Sequence, residues 1–543
     1  MTAEVSRRAV LAGGAALGLA ACSPATAAPY PGALLGADVR RGHRLRDAKG
    51  QSAFPPPSGA EERIPLVIAG GGVAGLAAGW RLAEAGFGDF ALLELENEAG
   101  GNARGGGNAV TQFPWGAHYL PVPNREARGL IHMLRGFGMI TGEDASGAPI
   151  YDPYHLCADL EERLLWRGTW QEGLYPASGL GAADIAQHDR FNAAMEHFRA
   201  AVGTDGRPAF ASPSALSSRD PAFAALDGQS FAAWLDAQGF TSGPLRAHLR
   251  YCCRDDYGTE PDGVSAWAGI HYFAGRRGWA AGGAGQSELT WPEGNARLAR
   301  LMAARLHPQI RASHSVVRVV RDGDDVVIDT LDHLAGTIRR IRAGAVILAI
   351  PDFVARHVAP DFVGHAGFSY APWVVANVAV SRQPWGAGVP LAWDNVSAGS
   401  ETLGYVVATH QTQSAPDGPS VLTWYNALSV GDPAVQRRMM LRRSLGEWQT
   451  IIAADLLTMN PELDGAIERI DVWRWGHAMV QPVPGFRADP ARVAARARQG
   501  AGPVFRAHSD LSGLSLFEEA HYLGLAAAEG ALRHLGRPVE SLL

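Results

Sequence analysis

The stretch that most constrains this chain is residues 66–104, LVIAGGGVAGLAAGWRLAEAGFGDFALLELENEAGGNAR. A short apolar run, 66–69, reads as a buried strand. Gly70, Gly72 and Gly75 then form G-x-G-x-x-G, with Gly79 one helical turn further on. A helix is predicted over 76–84, stopping at Gly86, and a second strand over 90–93 ends at an acid, Glu94. Strand, glycine turn, helix, strand and acid in that order make the βαβ unit that holds a dinucleotide. Gly70 permits the tight turn. Gly72 lets the backbone approach a diphosphate, where any Cβ would collide, and Gly75 lets the helix pack on the strand. The helix N-terminus offers N–H groups and a partial positive charge to the phosphates, with Val73 and Ala74 just before it as further cofactor-binding candidates. Glu94 follows Gly75 by about twenty residues, the distance at which an acid accepts hydrogen bonds from ribose hydroxyls. A glycine-rich loop before an ordinary packed helix would leave that acid unexplained.

Just beyond Glu94 lies a second glycine pair, Gly100-Gly101, then Asn102, Ala103 and Arg104. Here the chain resembles the flavin-containing amine oxidase and phytoene desaturase superfamily, which carries an acid at the end of the second strand and then Gly-Gly followed by Arg. In this chain Asn102 and Ala103 are inserted between the pair and Arg104. The resemblance implies FAD and an α/β fold: a Rossmann-type FAD-binding domain assembled from discontinuous segments, with an inserted α+β substrate domain. The residue chemistry agrees. Gly101 allows another close backbone approach, and Arg104 can pair bidentately with a phosphate. The competing reading of Arg104 is a solvated loop arginine.

Further segments match the superfamily in order. Trp291-Pro292-Glu293-Gly294-Asn295 and a helix over 296–306 resemble its "P-x-G" turn and following helix. Two strands, 315–320 and 325–329, follow; the resemblance implies that backbone near Val316 or Val317 passes the adenine. A buried strand is expected over 345–350. At the C-terminal end, His508-Ser509-Asp510 leads into a small-residue helix from about Phe517. By resemblance Asp510 touches the ribityl or diphosphate region, and the helix start, near Ala520, points its positive end at the flavin. The family's usual Gly before the acid is Ser509 here, and its Glu-Gly-Ala is Glu518-Glu519-Ala520. The FAD domain is thus expected to comprise 63–120, 290–354 and 491–543. The substrate domain comprises 121–289, with helices at 126–136, 182–201, 231–237 and 243–254, and 355–490, with strands at 373–381, 402–410 and 419–426.

The segment 113–120, FPWGAHYL, resembles the one beside the isoalloxazine ring. It implies a close approach at Gly116 and makes His118 and Tyr119 candidates for the reaction. His118 is either an acid/base or a hydrogen-bonded structural histidine. Trp475, in Trp473-Arg474-Trp475-Gly476-His477, resembles a residue flanking the flavin, with a packing anchor as the alternative. The polar run 251–258 (YCCRDDYG), His271 and Tyr272 either line the pocket or serve the fold. Leu516 falls where one ring of an amine-enclosing aromatic pair would stand. Lys49 is the sole lysine of the chain, so no lysine can stand near the flavin, as it does in many members, and arginine is a poor substitute.

The N-terminal 1–22 reads as an export signal: Arg7-Arg8, an apolar stretch too short for a bilayer, and Leu19-Ala20-Ala21-Cys22. The last motif resembles a lipobox and makes Cys22 a lipidation site; a soluble signal cut near 25–28 is the alternative. Export implies the twin-arginine machinery as a partner and a periplasmic location, on the membrane through a lipid anchor or free. Residues 23–62, with Pro55-Pro56-Pro57, read as a mobile tether. The formal net charge of −6 and the lack of a basic block argue against nucleic acid. No histidine spacing suits a metal, and no G-x-S-x-G elbow suits a hydrolase. The four cysteines, Cys22, Cys157, Cys252 and Cys253, all precede residue 254. No cysteine stands in the C-terminal half, where the resemblance places the cysteine-linked flavin of monoamine oxidases, so the resemblance implies non-covalent FAD; Cys157 could pair with one of the adjacent two. The expected activity is an exported FAD-dependent oxidoreductase moving hydride from a small organic substrate, an amine or similar, to flavin, with oxygen or an envelope carrier as acceptor. Two alternatives stay open: a lipid or isoprenoid desaturase or isomerase, and a non-catalytic flavin-binding protein.

Overall fold

A computed structural model describes residues 28–47, 54–283, 288–363, 367–412, 417–497 and 502–543. The export signal with Cys22, and Lys49, lie outside the described residues. The described chain opens with strand β1 (Leu34–Gly36) and helix α1 (Val39–Asp47). Next come β2 (Leu66–Ala69), α2 (Val73–Glu84) and β3 (Phe90–Leu93). The first insert contributes β4 (Glu162–Trp166), β5 (Thr169–Glu172) and α3 (Gly243–Tyr257). Helix α4 (Ala296–Arg305) leads to β6 (Ile310–Arg311), β7 (His314–Asp322), β8 (Asp325–Asp332), β9 (Thr337–Ala343) and β10 (Ala345–Leu348). The second insert supplies β11 (Tyr370–Val380), β12 (Asp394–Ser397), β13 (Tyr405–Val407), β14 (Ser420–Ala427) and β15 (Ile467–Val480). Strand β16 (Val504–Arg506) and helix α5 (Phe517–His534) complete the chain.

Five strands form a parallel sheet in the order β6-β3-β2-β10-β16. That is the doubly wound order, with β2 at its centre and the glycine turn at the carboxyl end of β2. Its strands are continuous apolar runs because both faces are covered. Helices α2 and α5 bury Leu76, Ala77, Leu525 and Ala528 on one face. The antiparallel β7-β8-β9 ribbon buries Val319 and Ile328 on the other. Helix α5 comes so close to α2 that a Cβ on Gly524 would lie 2.3 Å from the Ala74 carbonyl oxygen.

The second large sheet has eight strands in the order β1-β15-β11-β14-β13-β12-β4-β5. Its middle is antiparallel, whereas β1 pairs parallel with β15 and β4 parallel with β12. One face packs on Trp448, Ile452 and Leu456 of a following helix. The other carries Trp373, Trp393 and Trp475 toward the glycine domain.

Two expectations need correction. Residues 23–62 are not a plain tether, since β1 joins the substrate sheet with Leu35 opposite Trp473, and α1 follows it. Pro55, Pro56 and Pro57 line a cavity of about 260 Å³ with Val317 and Ile338. The cysteine pairing also fails: Cys157, Cys252 and Cys253 are all free and buried, and burial holds each thiol far above its usual range. Among the described residues, no helix is long and apolar enough to cross a membrane, and no cluster suits a metal ion.

Candidate functional site

The glycine turn is built by backbone. Gly70 takes φ +101°, and a Cβ there would lie 2.4 Å from the Ala349 carbonyl oxygen at the end of β10. Glu94 does not wait for a ribose. Its Oε2 accepts from the Gly71 N–H at 2.7 Å and its Oε1 from the Glu96 N–H at 2.8 Å. Burial raises its pKa against those two bonds. The acid at the strand end therefore fixes the turn, because two buried N–H groups lie within its reach.

The second glycine pair closes onto the first. Gly100 N–H donates to the Gly71 carbonyl at 2.8 Å, and a Cβ on Gly101 would lie 2.9 Å from Gly72 Cα. Gly72 itself faces open space, its nearest neighbour on that side being Gly101 Cα at 3.8 Å. Gly72, Val73, Gly101 and Arg104 stay half-buried, whereas Ala74 and Gly75 behind them are buried. No side chain caps the α2 N-terminus. This is a cradle a Cβ on Gly72 would begin to fill, with uncovered helix dipole at its floor, and it fits the diphosphate of a dinucleotide. Arg104 flanks it, 3.7 Å from Glu96 and with its guanidinium 5.2 Å from the Trp473 ring centroid, so it is not a solvated loop arginine.

The cradle continues into a second, acidic space. Asn102, beside Gly101, accepts at its carbonyl from the Ala117 N–H at 3.2 Å. That carbonyl would sit 2.3 Å from a Cβ on Gly116, so the close approach at Gly116 is to Asn102 backbone. Asn102 and Ala117 stay exposed here. Gly294, at φ +60°, and Asn295 clamp the next residues: Asn295 N–H donates to the Ala117 carbonyl at 3.0 Å and its Nδ2 to the Tyr119 carbonyl at 2.7 Å. The P-x-G turn thus fixes His118 and Tyr119.

His118 packs among aromatic rings, 5.0 Å from Tyr425 and 5.5 Å from Trp393. Burial lowers its pKa to about 4, so the imidazole is neutral at physiological pH. Beyond it stand carboxyls from four segments. Asp394 of β12 accepts from Tyr425 at 3.0 Å and from Tyr251 of α3 at 3.3 Å. Tyr119 donates to Asp256 at 3.3 Å, and Arg276 binds the same oxygen at 2.7 Å. The other Asp256 oxygen has no partner, nor has Oε2 of Glu288. Burial, then mutual repulsion, pushes Asp255 up to about 7 and holds Asp394 well above its ordinary value. Burial also raises Glu162 to about 7 and Glu288 to about 8, although Arg276 pulls both down. Glu162, Asp255 and Glu288 remain half-buried.

The remaining sequence candidates are engaged by protein groups. Trp475 is buried and its Nε1 donates to the Trp115 carbonyl at 2.6 Å, which makes it an anchor of the tryptophan cluster. Val316 packs half-buried on the sheet core, and a bulge between Val316 and Arg318 leaves Val317 without a ladder partner. Asp510 is engaged internally, accepting from Asp352 N–H at 2.7 Å and Tyr370 at 2.6 Å. Burial alone would raise its pKa, but His508 and these bonds hold it below the usual range. Ala520 packs half-buried on the core. The start of α5 is met by its own acids, with Glu518 held by Ser212 and Glu519 by the Ser214 N–H. The helix dipole is therefore met by protein carboxyls. Leu516 packs in the helical insert, and His271 is structural, its Nε2 on the Ala211 carbonyl at 2.8 Å. Glu162, Glu288, Asp394 and Tyr425 were not singled out in the sequence; the polar run 251–258 was the one local sign of this wall.

A family model for the NAD(P)-binding Rossmann-like domain matches residues 68–137. Among solved structures, wild-type putrescine oxidase bound to putrescine superposes with a TM-score of 0.62 at 16% identity, covering 86% of this chain and 99% of that one. Cyclohexylamine oxidase from Brevibacterium oxydans gives 0.62 at 16%, covering 87% and 100%. The fold is that of these oxidases. A fatty acid isomerase from P. acnes shares it, at a TM-score of 0.57 and 15% identity over 85% and 97%. No curated protein matches this chain in sequence.

Proposed function

We propose that the protein is an FAD-dependent oxidoreductase that oxidises a small cationic amine. The observation that carries this reading is the carboxyl- and tyrosine-lined chamber joined through Asn102 and Ala117 to the double-glycine cradle. A lipid chain would have to bury against Glu162, Asp255, Glu288 and Asp394, and apolar surface gains nothing there. An ammonium group compensates the same carboxyls.

Gly72, Val73, Gly101 and Arg104 are the residues that would hold the diphosphate, and the Val317 bulge is where backbone would meet the adenine. FAD, when bound, supplies the hydride acceptor. The protein's part is binding and placement. A cation entering the chamber favours ionised carboxyls, which release protons as it binds. Tyr119, Tyr425 and Trp393 supply ring faces for the cationic end. His118, neutral through burial, forms part of that wall and carries no charge to repel the substrate. Three buried thiols, all from the first insert, support non-covalent cofactor binding. The Arg7-Arg8 signal and Cys22 support export to the periplasmic side, free or lipid-anchored, with oxygen or an envelope carrier as electron acceptor.

The test is an absorbance spectrum of the purified protein followed by anaerobic titration. Two visible flavin bands, bleached by an aliphatic diamine and unchanged by a fatty acid, are expected. Bleaching by the fatty acid alone would move the reading to the isomerase or desaturase class, and flavin inert to every substrate would make the protein a flavin-binding one.

A further inference from the structure

The segment that read as a tether bridges the two halves of the molecule at the cofactor groove. Strand β1 lies on the edge of the substrate sheet, with Leu34 opposite Val472 and Gly36 opposite Arg474, and Leu35 packs in the tryptophan cluster. Two residues later the chain turns. Asp38 accepts from the Arg40 and Arg41 N–H groups, each at 3.0 Å, and starts α1 as an N-cap. The Asp38 N–H then donates to Glu96 at 2.8 Å. Arg41 reaches the loop that follows Glu94: its Nη1 donates to the Leu95 carbonyl at 3.0 Å and Asn97 Oδ1 at 2.9 Å, with Ser313 Oγ at 3.3 Å. Glu96 is the residue that also meets Arg104 and whose N–H binds Glu94. At the far end of the helix, His43 feels Arg437, and His477 of β15 feels His43 and Arg46. Helix α1 therefore runs from the nucleotide side of the glycine domain to the end of β15.

Its composition suits that place. The helix reads VRRGHRLRD, four arginines against one aspartate, and buries no residue fully. Val39 is 44% exposed, and Leu45 is its one side chain packed on the sheet clusters. Leu34 and Leu35 anchor β1 on the substrate sheet, whereas helix α1 is held by a few hydrogen bonds and one leucine and opens at low free energy compared with the core.

We infer that β1 and α1 form a strap that retains the cofactor, with Arg41 as the positioning residue that latches it to the Glu94 turn. This rests on the FAD reading above. The strap swings off the groove for FAD to enter or leave and closes over the bound nucleotide. Latching holds Glu96, and through it the turn that Glu94 pins and Arg104 beside the phosphate cradle.

Flavin release on dilution of the full-length holoprotein, followed by fluorescence, tests this. Arg41→Ala is expected to release flavin about tenfold faster, the loss of a charged hydrogen-bond cluster. Arg41→Lys should restore part of the retention, and Arg40→Ala, on the exposed side of the helix, should change nothing. Trypsin supplies a second readout, since FAD removal should expose the arginines of 40–46 to cleavage that the holoprotein resists. Equal release rates in Arg41→Ala and Arg40→Ala, or cleavage of the strap at the same rate with and without flavin, would overturn the strap while leaving the FAD reading intact. A purified protein that carries and takes up no flavin overturns both.

Discussion

The glycine cradle and the acidic chamber adjoin, yet they are made in opposite ways. The cradle is backbone: Gly70, Gly72, Gly100 and Gly101 meet through carbonyls and Cα atoms, and one acid, Glu94, pins the turn. The chamber is side chain: Glu162, Asp255, Glu288 and Asp394 arrive from separated segments and are kept in uneasy proximity by Tyr251, Tyr425 and Arg276. A backbone site tolerates no added atoms, whereas a side-chain site tolerates altered shape but is sensitive to charge.

The largest effect should come from filling the cradle. Gly72→Trp meets no protein atom closer than 3.8 Å at its Cβ, so the variant should fold. Flavin affinity should nevertheless fall more than about 100-fold, about 2.7 kcal/mol or more by the relation between affinity and free energy. Equilibrium dialysis of FAD against the wild type and the variant measures this, and undiminished flavin in Gly72→Trp would sink the cradle.

Charge removal in the chamber comes next. Glu288→Gln should raise the KM for an aliphatic diamine about tenfold, the scale of one charged hydrogen bond, with flavin content unchanged. The pH behaviour sharpens the contrast. The folded Glu288 carboxyl titrates at about 8, above its unfolded value, so the native state holds an extra proton between those limits. Its stabilising contribution is full below the unfolded pKa and is lost as pH rises through the folded one. Wild type should therefore lose about 4 kcal/mol relative to Glu288→Gln between pH 5 and pH 9, read by denaturant unfolding at both pH values. Diamine binding to wild type should strengthen between pH 6.5 and 8.5, as carboxylates form. A parallel pH dependence in the two proteins would remove Glu288 from the chamber.

The smallest effect lies at the joint between the two regions. Gly294→Ala forces φ +60° on alanine and sets a Cβ 2.8 Å from both the Ala117 carbonyl oxygen and His118 Cα. Strain of about 1–2 kcal/mol is expected, with turnover down about threefold and FAD retention unchanged. Loss of flavin instead would show that the turn supports the cradle rather than the chamber.

The same contrast decides what could be read from the residues alone. Strands 66–69 and 90–93 and the helix 231–237 have the bounds their patterns predict, because apolar runs and caps are local. Helix α2 begins three residues earlier than expected, at Val73, since its first turn is small residues without apolar periodicity. The chamber was not legible: Asp394 and Glu288 each open a short strand, and their partners come from other elements, such as Tyr425 and Tyr251 on Asp394 and Arg276 beside Glu288. Asp510 was expected beside the ribityl or diphosphate region, and nothing in the sequence signalled that Tyr370 and the Asp352 N–H would hold its carboxyl. The strap was misread because a segment rich in Pro, Gly and charge lacks apolar periodicity, and its order comes from pairing with β15, which lies more than 400 residues on.

The three free thiols carry a practical consequence. Cys157, Cys252 and Cys253 are enclosed, and their protons are held tightly, so the reactive sulfur anion is scarce. Added peroxide should leave them unmodified, and an alkylating dye should mark them only as the molecule comes apart, making their labelling a clock for its opening.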